Sequence, residues 1–259
     1  MKRSTVLALV LALVLGIVGN AAAASFDASG LIDWYVGEQK FQTVKNGAWS
    51  QDPADRPTDE ELTKMLTMAN TMQSAVHWTP WYFIVVKDVE EQRKIIGDRW
   101  GAPEDMATEG TVTVLVLADQ IITAEEGHVS PYEGYYMPTP KYAYFDTGAA
   151  CALLQVAASS LGYGTHYFGT INGEYAPFDA ADGQYQSMSR YVSDEDLRGW
   201  GYMAGAYGEE LNPDYIYPVK GNCVFVAAIV IGKPAAEEDV DIVTWATNRA
   251  RPQNWKFWD

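Results

Sequence analysis

Residues 74–86, SAVHWTPWYFIVV, place three side chains that can form hydrogen bonds directly ahead of an apolar stretch. Ser74 and Thr79 carry hydroxyl groups, and His77 carries an imidazole that donates or accepts a hydrogen bond in its ring plane. The stretch Trp81–Val86 is rich in aromatic and β-branched residues, which is typical of a buried strand. The pattern predicts a polar corner where the strand begins. This corner is either the edge of a ligand site or a packing corner in which His77 caps backbone groups and the tryptophans belong to the core.

The sequence contains none of the common motifs of enzymes that work through side chains alone. It has no glycine-rich phosphate loop, no G-x-S-x-G motif and no C-x-x-C or H-E-x-x-H metal spacing. His77, His128 and His166 are too scattered to predict a metal site. These observations favour a bound cofactor that supplies its own chemistry, while the protein binds and orients it.

Several helices and strands must position the corner. Thr58 and Glu61 form a capping box, and apolar residues at helical spacing follow, which predicts an amphipathic helix over 58–73. Residues 146–161 are apolar nearly all round, which indicates a helix buried in the protein centre or at a subunit interface. The remaining predicted elements are a helix at 88–97 and strands at Trp81–Val86, 111–118, Gly164–Phe168 and Cys223–Gly232.

Two long segments, 119–145 and 171–221, have no periodic pattern and are rich in Tyr, Gly and Pro. Long irregular segments of a compact domain are usually functional covers. Strands that do not alternate regularly with helices, arranged around one central helix, predict an α+β sandwich.

The start of the chain indicates export. Residues 1–24 have a basic start, an apolar run and a small-residue stretch before residue 25, which is typical of a secretory signal peptide. An uncleaved membrane anchor is the alternative, because the apolar run nearly reaches spanning length. We expect residues 25–259 to form a single extracytoplasmic domain.

The charge balance restricts the class of partner. Removing residues 1–24 takes away two of the 18 basic residues and none of the 34 acidic ones, which leaves a formal net charge of −18. Nucleic acids and anionic lipids require a basic face, so neither is an expected partner.

Two cysteines lie within predicted buried elements. Cys151 falls in the apolar helix and Cys223 in the last strand, where a free cysteine behaves as a small hydrophobic residue. Oxidation to a disulfide is the alternative in an exported protein.

Five stretches, taken in order, match the pattern of one known family. They are MQSAVHWTPWYFIVV, ATEGTVTVLVLAD, YFDTGAACALLQVAASSLGYGTHYFG, VAAIVIGKPA and NRARPQ. Together they resemble the nitroreductase family of flavoproteins, whose corner reads Pro-Ser-x-x-Asn-x-Gln-Pro-Trp. The resemblance implies a homodimeric sandwich, with a mixed or antiparallel central sheet and flanking helices around a buried central helix. It also implies FMN at the dimer interface and ping-pong transfer of electrons or hydride through flavin N5 to a small aromatic, nitro- or quinone-like molecule.

The resemblance assigns cofactor-binding positions residue by residue. Ser74 matches the family's serine, while His77 replaces its asparagine and Thr79 its glutamine. The turn at Tyr167, Phe168 and Gly169 matches the position whose backbone N–H meets flavin N5, with an ordinary buried strand end as the alternative. Near the C-terminus, Arg249 and Arg251 match the basic pair that reaches the FMN phosphate, with solvated tail charges as the alternative.

One motif of the family is replaced. The family's Arg-Arg-Ser-x-Arg phosphate clamp aligns, without gaps, with Gly47, Ala48, Trp49 and Gln51. Each charged hydrogen bond contributes roughly 1.5–3 kcal/mol, so two lost arginines weaken a phosphate-bearing ligand by about two to four decades. Lys45 either compensates in part or is simply solvated. A flavin without phosphate, or a non-catalytic binding protein that has lost FMN, are the alternatives.

The family builds its variable substrate cover in the region of residues 131–145. Four tyrosines there could stack on a planar substrate, although packing and dimer burial explain them equally well: Tyr132, Tyr135, Tyr136 and Tyr142. Because NAD(P)H is not expected outside the cytoplasm, an exported member would need another electron donor, such as a redox protein, a quinol or a reduced small molecule.

Overall fold

The computed structural model describes residues 44, 48–74, 79–98, 101–119, 139–179 and 223–236, and the isolated positions 30, 181, 184–185, 191, 193 and 196. The chain divides into two compact units, Met1–Gln39 and Lys40–Asp259. All described residues except Gly30 belong to the second unit, and the predicted signal peptide lies outside the described residues.

A four-stranded antiparallel sheet forms the centre of the second unit. Its strands are β1 (Trp81–Val86), β2 (Thr111–Asp119), β3 (Gly164–Phe168) and β6 (Cys223–Gly232). They lie in the order β1-β2-β6-β3, and every pairing is antiparallel. A separate two-stranded ribbon pairs β4 (Phe178–Asp179) with β5 (Gln184–Tyr185). Helices and this sheet together confirm the predicted α+β class and the antiparallel alternative for the central sheet.

The two ends of the sheet are set by its register. At one end Trp81 lies opposite Ala118, and Asp119 lies opposite Cys223; we call this the Trp81 end. At the other, the Val86 end, Val86 lies opposite Thr113 and β2 and β6 meet at Thr111 and Gly232. β3 starts opposite Gly232 and ends opposite Ala228, in the middle of β6.

Both faces of the sheet are covered. On one face, valines of β2 and alternate residues of β6 pack against α1 (Asp59–Asn70) and α4 (Thr139–Ser160). On the other face, Leu115, Leu117 and Phe225 pack in a cluster with Ile95 and Ile96 of α2 (Val89–Ile96) and with Met106 of α3 (Pro103–Met106). Central strands that are buried on both faces read as continuous apolar runs, which explains TVTVLVLA and CVFVAAIVIG.

The predicted local elements are confirmed within a few residues at each boundary. Thr58 is the N-cap of α1, and its capping box with Glu61 is complete. Asp88 caps α2 and accepts a hydrogen bond from the Glu91 N–H. Gly97 ends that helix with φ 68°, a conformation in which glycine has no Cβ penalty.

The predicted start of the central helix was wrong. α4 begins at Thr139, seven residues before the predicted start at Asp146, so Tyr142 belongs to a helix and not to an irregular cover. Pro140 falls in the first turn, where a helix needs no N–H from it, and therefore does not interrupt the helix. The helix is also not buried all round in the single chain, because the Phe145 side chain is 74% exposed.

The segment after β3 was also predicted as irregular cover, but its first residues are packed. The Asn172 N–H donates to the Ile95 carbonyl at 2.8 Å, and the Asn172 amide donates to the Lys94 carbonyl at 3.1 Å. Ile171, Tyr175 and Ala176 are buried against the sheet. This stretch closes the C-terminus of α2 and lies in the core.

The cysteines are both free and buried, which confirms the first interpretation. Cys151 belongs to the core on the α4 face, whereas Cys223 belongs to the core on the opposite face of the sheet. A disulfide between them would have to cross the sheet, so this fold does not allow it. Among the described residues, no helix has both the length and the apolar character needed to span a bilayer.

Candidate functional site

The polar corner between α1 and β1 is closed by its own side chains. The Thr79 N–H donates to the Ser74 hydroxyl oxygen at 2.7 Å, so the structure brings these two predicted residues together. Thr79 has φ 44°, and it is the only non-glycine residue with positive φ among the described residues. A β-branched residue in this region is a genuine outlier. His77 lies outside the described residues.

Trp81, at the start of β1, anchors the corner to the preceding helix. Its side chain is buried, and its indole N–H donates to the Asn70 amide oxygen at 2.9 Å. Trp81 is therefore a core residue, as the packing interpretation expected. Asn70 was not identified from the sequence, because the last residue of an amphipathic helix carries no signal for a partner eleven positions later.

The turn after β3 has one buried and two exposed residues. Phe168 is 2% exposed and stacks on the His166 ring, with centroids 4.4 Å apart, so its side chain packs in the core. Gly169 is exposed, and among the described residues no atom lies within 4 Å of the position that a Cβ would occupy. The space beside the Gly169 Cα is therefore open.

His166 is held in one tautomer. Its Nδ1 lies 2.9 Å from the Val44 carbonyl oxygen, and a carbonyl only accepts, so Nδ1 carries the proton. Burial lowers the pKa of His166, and the hydrogen bond to Val44 opposes this shift. We expect a neutral imidazole at neutral pH, which is not a cation for binding phosphate.

Tyr167 lies on the α4 side of β3 and is 40% exposed. Its hydroxyl forms a hydrogen bond with the Cys151 thiol. Burial raises the pKa of Cys151 to about 12, and burial together with the neighbouring thiol raises the pKa of Tyr167. Both groups keep their protons at neutral pH, so Cys151 is not a reactive thiolate.

The segment that replaces the phosphate clamp is a packing segment. Ala48 and Trp49 are buried, and Trp49 pairs with Pro234. The Ser50 N–H donates to the Lys233 carbonyl at 2.9 Å, which fixes this segment beside the end of β6. Gly47 lies outside the described residues. Of the aligned positions that the structure describes, Ala48 and Trp49 offer apolar side chains and Gln51 an exposed amide, and none offers a positive charge.

Apart from Lys141 of α4, whose side chain the structure does not describe, the cationic side chains of the described residues are paired with carboxylates. The pairs are Arg56–Glu109, Lys64–Glu60, Lys87–Asp59, Arg93–Glu90, Lys94–Glu91 and Lys233–Asp55. Lys45, Arg249 and Arg251 lie outside the described residues, as do Tyr132, Tyr135 and Tyr136. An unpaired cation for a ligand phosphate must therefore be Lys141 or come from outside the part of the chain that the structure describes.

The candidate segments leave the sheet at opposite edges. The corner leads into β1, and the Tyr167–Gly169 turn contains the last residues of β3. Three strand spacings of about 4.8 Å put roughly 14 Å between these edges. Between them, Ala143 of α4 packs on Ala118 and Val224 at the Trp81 end, so the first turns of α4 lie there. Tyr142 is in these turns and is 38% exposed. One protomer does not bring the corner and the turn into contact.

The described residues contain no group of three or more His, Cys, Asp or Glu side chains that could hold a metal ion. Within this part of the chain, the chemistry that the arrangement offers is hydrogen bonding and aromatic contact with an organic ligand.

Comparisons with known proteins point to one family. A family model described as the nitroreductase family matches residues 52–182, which are 131 of the 259 residues. A Staphylococcus epidermidis protein named for NAD(P)H nitroreductase activity is 30% identical over 78 residues. That alignment covers 30% of this chain and 35% of the relative, so it spans about a third of the relative's length.

Two solved structures are among those to which this chain is similar. A nitroreductase family protein from Clostridium novyi NT is 20% identical with a TM-score of 0.46, covering 81% of this chain and 89% of its own. A nitroreductase family protein from Streptococcus pneumoniae TIGR4 is 12% identical with a TM-score of 0.47, covering 78% and 92%. Because the family model spans half of the sequence and includes both the corner and the turn, this chain belongs to the nitroreductase family.

Proposed function

We propose that this chain is an FMN-dependent oxidoreductase that acts on a small aromatic, nitro- or quinone-like molecule. The observation that carries the proposal is the family match over residues 52–182, which contains the Ser74–Thr79 corner and the Tyr167–Gly169 turn. The absence of a side-chain nucleophile among the described residues fits this proposal, because Cys151 is a buried neutral thiol. When bound, FMN supplies the redox chemistry through its ring, and the protein binds and orients it.

The described residues fit the flavin ring. Gly169 leaves open space above its Cα, where a planar ring can approach the backbone. The half-buried Thr79 adds a hydroxyl, and the exposed Tyr142 adds an aromatic face at the Trp81 end. In contrast, no described side chain supplies an unpaired cation for the phosphate, so we assign that role to Arg249, Arg251 and Lys45.

We further propose that the protein is a homodimer through the outer face of α4. Four small or aromatic residues on this face are exposed in the single chain: Tyr142, Phe145, Gly148 and Ala152. Their spacing of three to four residues makes one continuous stripe on the helix. A second copy would bury Phe145 and would add a second set of site residues near the Trp81 end, since one protomer leaves its corner and turn on sheet edges about 14 Å apart.

The physiological donor and the location follow from residues 1–24. We propose that these residues direct export and that the electron donor is a redox protein, a quinol or a reduced small molecule. N-terminal sequencing of the exported protein would show a start at Ser25 if the signal is cleaved, and a start at the first residues if it is an anchor.

The proposed cofactor is tested by purifying the protein and measuring visible absorbance, before and after incubation with excess FMN or riboflavin. We expect a yellow protein with about one flavin per subunit. A preparation that stays colourless with both flavins would overturn the proposal.

Ala48 and Trp49, which are buried where the family has its arginine clamp, favour a second candidate function: a non-catalytic binding protein on the same fold. Ala48 and Trp49 give a phosphate nothing to pair with. Equal affinity for FMN and riboflavin would show that the phosphate is not recognised. Changing both Arg249 and Arg251 to Ala should weaken FMN far more than riboflavin if these residues bind the phosphate.

A further inference from the structure

Asn172 joins the end of α2 to the segment that follows β3. Its backbone N–H donates to the Ile95 carbonyl at 2.8 Å, and its side-chain amide donates to the Lys94 carbonyl at 3.1 Å. Its amide oxygen accepts from the Glu174 N–H at 3.2 Å. A Cβ on Gly97 would lie 3.3 Å from the Asn172 Cβ, so the two chain segments are in close contact. One asparagine therefore satisfies carbonyl groups that a helix C-terminus leaves without partners.

The residue after Asn172 is a glycine, which makes the side-chain amide chemically labile. In an Asn-Gly pair, the glycine backbone nitrogen can attack the asparagine side-chain carbonyl carbon, since glycine has no Cβ to hinder the approach. Gly173 is exposed, and apart from its chain neighbours no described atom lies within 4 Å of the position that a Cβ would occupy. No hydrogen bond to another described residue holds the Gly173 N–H. The attacking nitrogen is therefore open to a solvent base.

The reaction balances without an oxidant or a cofactor. The Gly173 nitrogen loses its proton to a solvent base and bonds to the Asn172 Cγ, and the Cγ–Nδ2 bond breaks. The leaving nitrogen takes up a solvent proton and departs as ammonia. Water then opens the cyclic imide at either carbonyl and leaves position 172 as aspartate or isoaspartate. Both products carry a carboxylate in place of the amide, and isoaspartate also adds a methylene group to the backbone.

The same contacts control the rate of this reaction and its consequence. The hydrogen bonds to Lys94 and Glu174 fix the plane of the Asn172 amide, and they must break before the amide turns toward the Gly173 nitrogen. After the reaction, a carboxylate cannot donate to the Lys94 carbonyl. Its negative charge also lies at a helix C-terminus, where the macrodipole disfavours it. The contact that delays the reaction is thus one that the product cannot restore.

We propose that Asn172 is a site of spontaneous deamidation, that local opening at the end of α2 controls its rate, and that the product weakens the attachment of the segment after β3 to that helix. This segment includes Ile171, Tyr175 and Ala176, which are buried against the sheet. The inference goes beyond the proposed oxidoreductase function and does not depend on a bound flavin.

Peptide mapping of the purified protein tests the site. The protein is incubated at mildly alkaline pH, both folded and in urea, and its tryptic peptides are followed by mass spectrometry. We expect deamidation at Asn172 in both samples, and about tenfold or more slower in the folded protein, because two hydrogen bonds hold the amide. Asn70 is the matched control within the chain. It is exposed but is followed by the β-branched Thr71, so it should stay unmodified.

Two variants separate the chemistry from its consequence. Gly173→Ala places a Cβ in open space, so it should abolish the deamidation signal without lowering the melting temperature. Asn172→Asp reproduces one product and should lower the melting temperature by about 3–6 °C. Asn70→Asp is its matched control at the end of α1, because the Asn70 amide oxygen accepts from the Trp81 indole and a carboxylate keeps that acceptor. It should lower the melting temperature less.

The outcomes decide each part of the inference. Equal rates in the folded and the urea-treated protein would overturn the control by local opening, and an unmodified Asn172 in both would overturn the site itself. Equal melting temperatures for Asn172→Asp and Asn70→Asp would overturn the proposed consequence. Should Asn172→Asp not fold, the melting temperatures of aged wild-type protein and aged Gly173→Ala decide that point. Flavin absorbance enters none of these measurements, so the proposed function holds or fails separately.

Discussion

The two ends of the central sheet differ in how favourably their residues are packed and hydrogen-bonded. At the Val86 end, the fully buried Gln92 uses both its amide nitrogen and its oxygen in hydrogen bonds to β2 and the preceding loop. At the Trp81 end, Thr79 is strained and Phe145 is 74% exposed. Groups that lower stability are retained where a site or an interface needs them, so this contrast supports the proposed site and interface at the Trp81 end and a purely structural role for the Val86 end.

A polar network extends the well-satisfied Val86 end to the protein surface. The Tyr163 hydroxyl donates to Glu61 at 2.9 Å and so joins the start of β3 to the start of α1. Burial, together with the Glu61 carboxylate, raises the pKa of Tyr163 to about 12, so the donor persists at neutral pH. Lys233 and Asp55 pair at 2.8 Å and connect the end of β6 to the segment before α1.

The largest expected effect is on assembly at the Trp81 end. Phe145→Glu places a charge in the proposed interface twice per dimer, and each buried Phe contributes about 1.5–3 kcal/mol. We expect the dimer dissociation constant to rise by more than about a hundredfold. Sedimentation velocity over a concentration series would measure it.

Phe178→Glu is the matched control for assembly, because Phe178 is 54% exposed on β4 and outside the proposed interface. It should leave the dimer intact. Equal dimer dissociation constants for Phe145→Glu and the wild-type protein would show that α4 is not part of the interface. Circular dichroism of the variant checks that the protomer remains folded.

The next effect is on folding at the Val86 end. Gln92→Ala leaves the Thr113 hydroxyl without its partner and opens a cavity, so we expect a loss of about 3 kcal/mol in the free energy of unfolding, measured with urea. The flavin affinity of the folded fraction should not change, because Gln92 lies at the opposite end of the sheet from the corner.

Gln155→Ala provides the comparison for Gln92. Gln155 is half-buried and makes a single hydrogen bond, to Thr165 at 3.0 Å, so its removal should cost about 1 kcal/mol. If both glutamine variants lost the same free energy of unfolding, the buried network at the Val86 end would contribute no more to stability than a single half-buried hydrogen bond.

The smallest effect concerns the capping box. Thr58→Ala should lower the free energy of unfolding by about 1 kcal/mol at neutral pH. The Thr58 backbone N–H and hydroxyl hold the pKa of Glu61 below its usual 4.5. A lowered pKa gives stability that is present above the unfolded value and lost as the pH falls through the folded value. The difference between variant and wild type should therefore narrow below pH 4.5, and a constant difference would contradict the role of Glu61.

Much of the fold was predictable because its signals are local. The capping box at Thr58, the strand at Trp81–Val86 and the two-faced strand at Cys223–Gly232 are each encoded within a short window. The start of α4 was not predicted, because Pro140 and the neighbouring tyrosines resemble loop sequence unless the proline is known to fall in a first turn.

The candidate site was predictable only in part. The order of motifs predicted Ser74 and Thr79 as neighbours of a ligand, which stays a prediction, yet the residue before a proline gives no reason to expect φ 44°. The turn at Tyr167, Phe168 and Gly169 was assigned to the ligand through a backbone N–H, and the structure adds that the Phe168 side chain packs in the core. The roles of His77, Lys45, Arg249, Arg251 and the tyrosines at 132, 135 and 136 remain predictions.

The sequence by itself determined the element types, the family resemblance and the replacement of the arginine clamp, because these depend on residue type and order along the chain. Only the tertiary structure decided that Cys151 and Cys223 lie on opposite faces of the sheet and that the Ser74 hydroxyl accepts a hydrogen bond from the Thr79 N–H. It also placed the corner and the turn at opposite sheet edges. Such facts depend on strand order, register and side-chain direction, and these follow from contacts between residues that are distant in the chain.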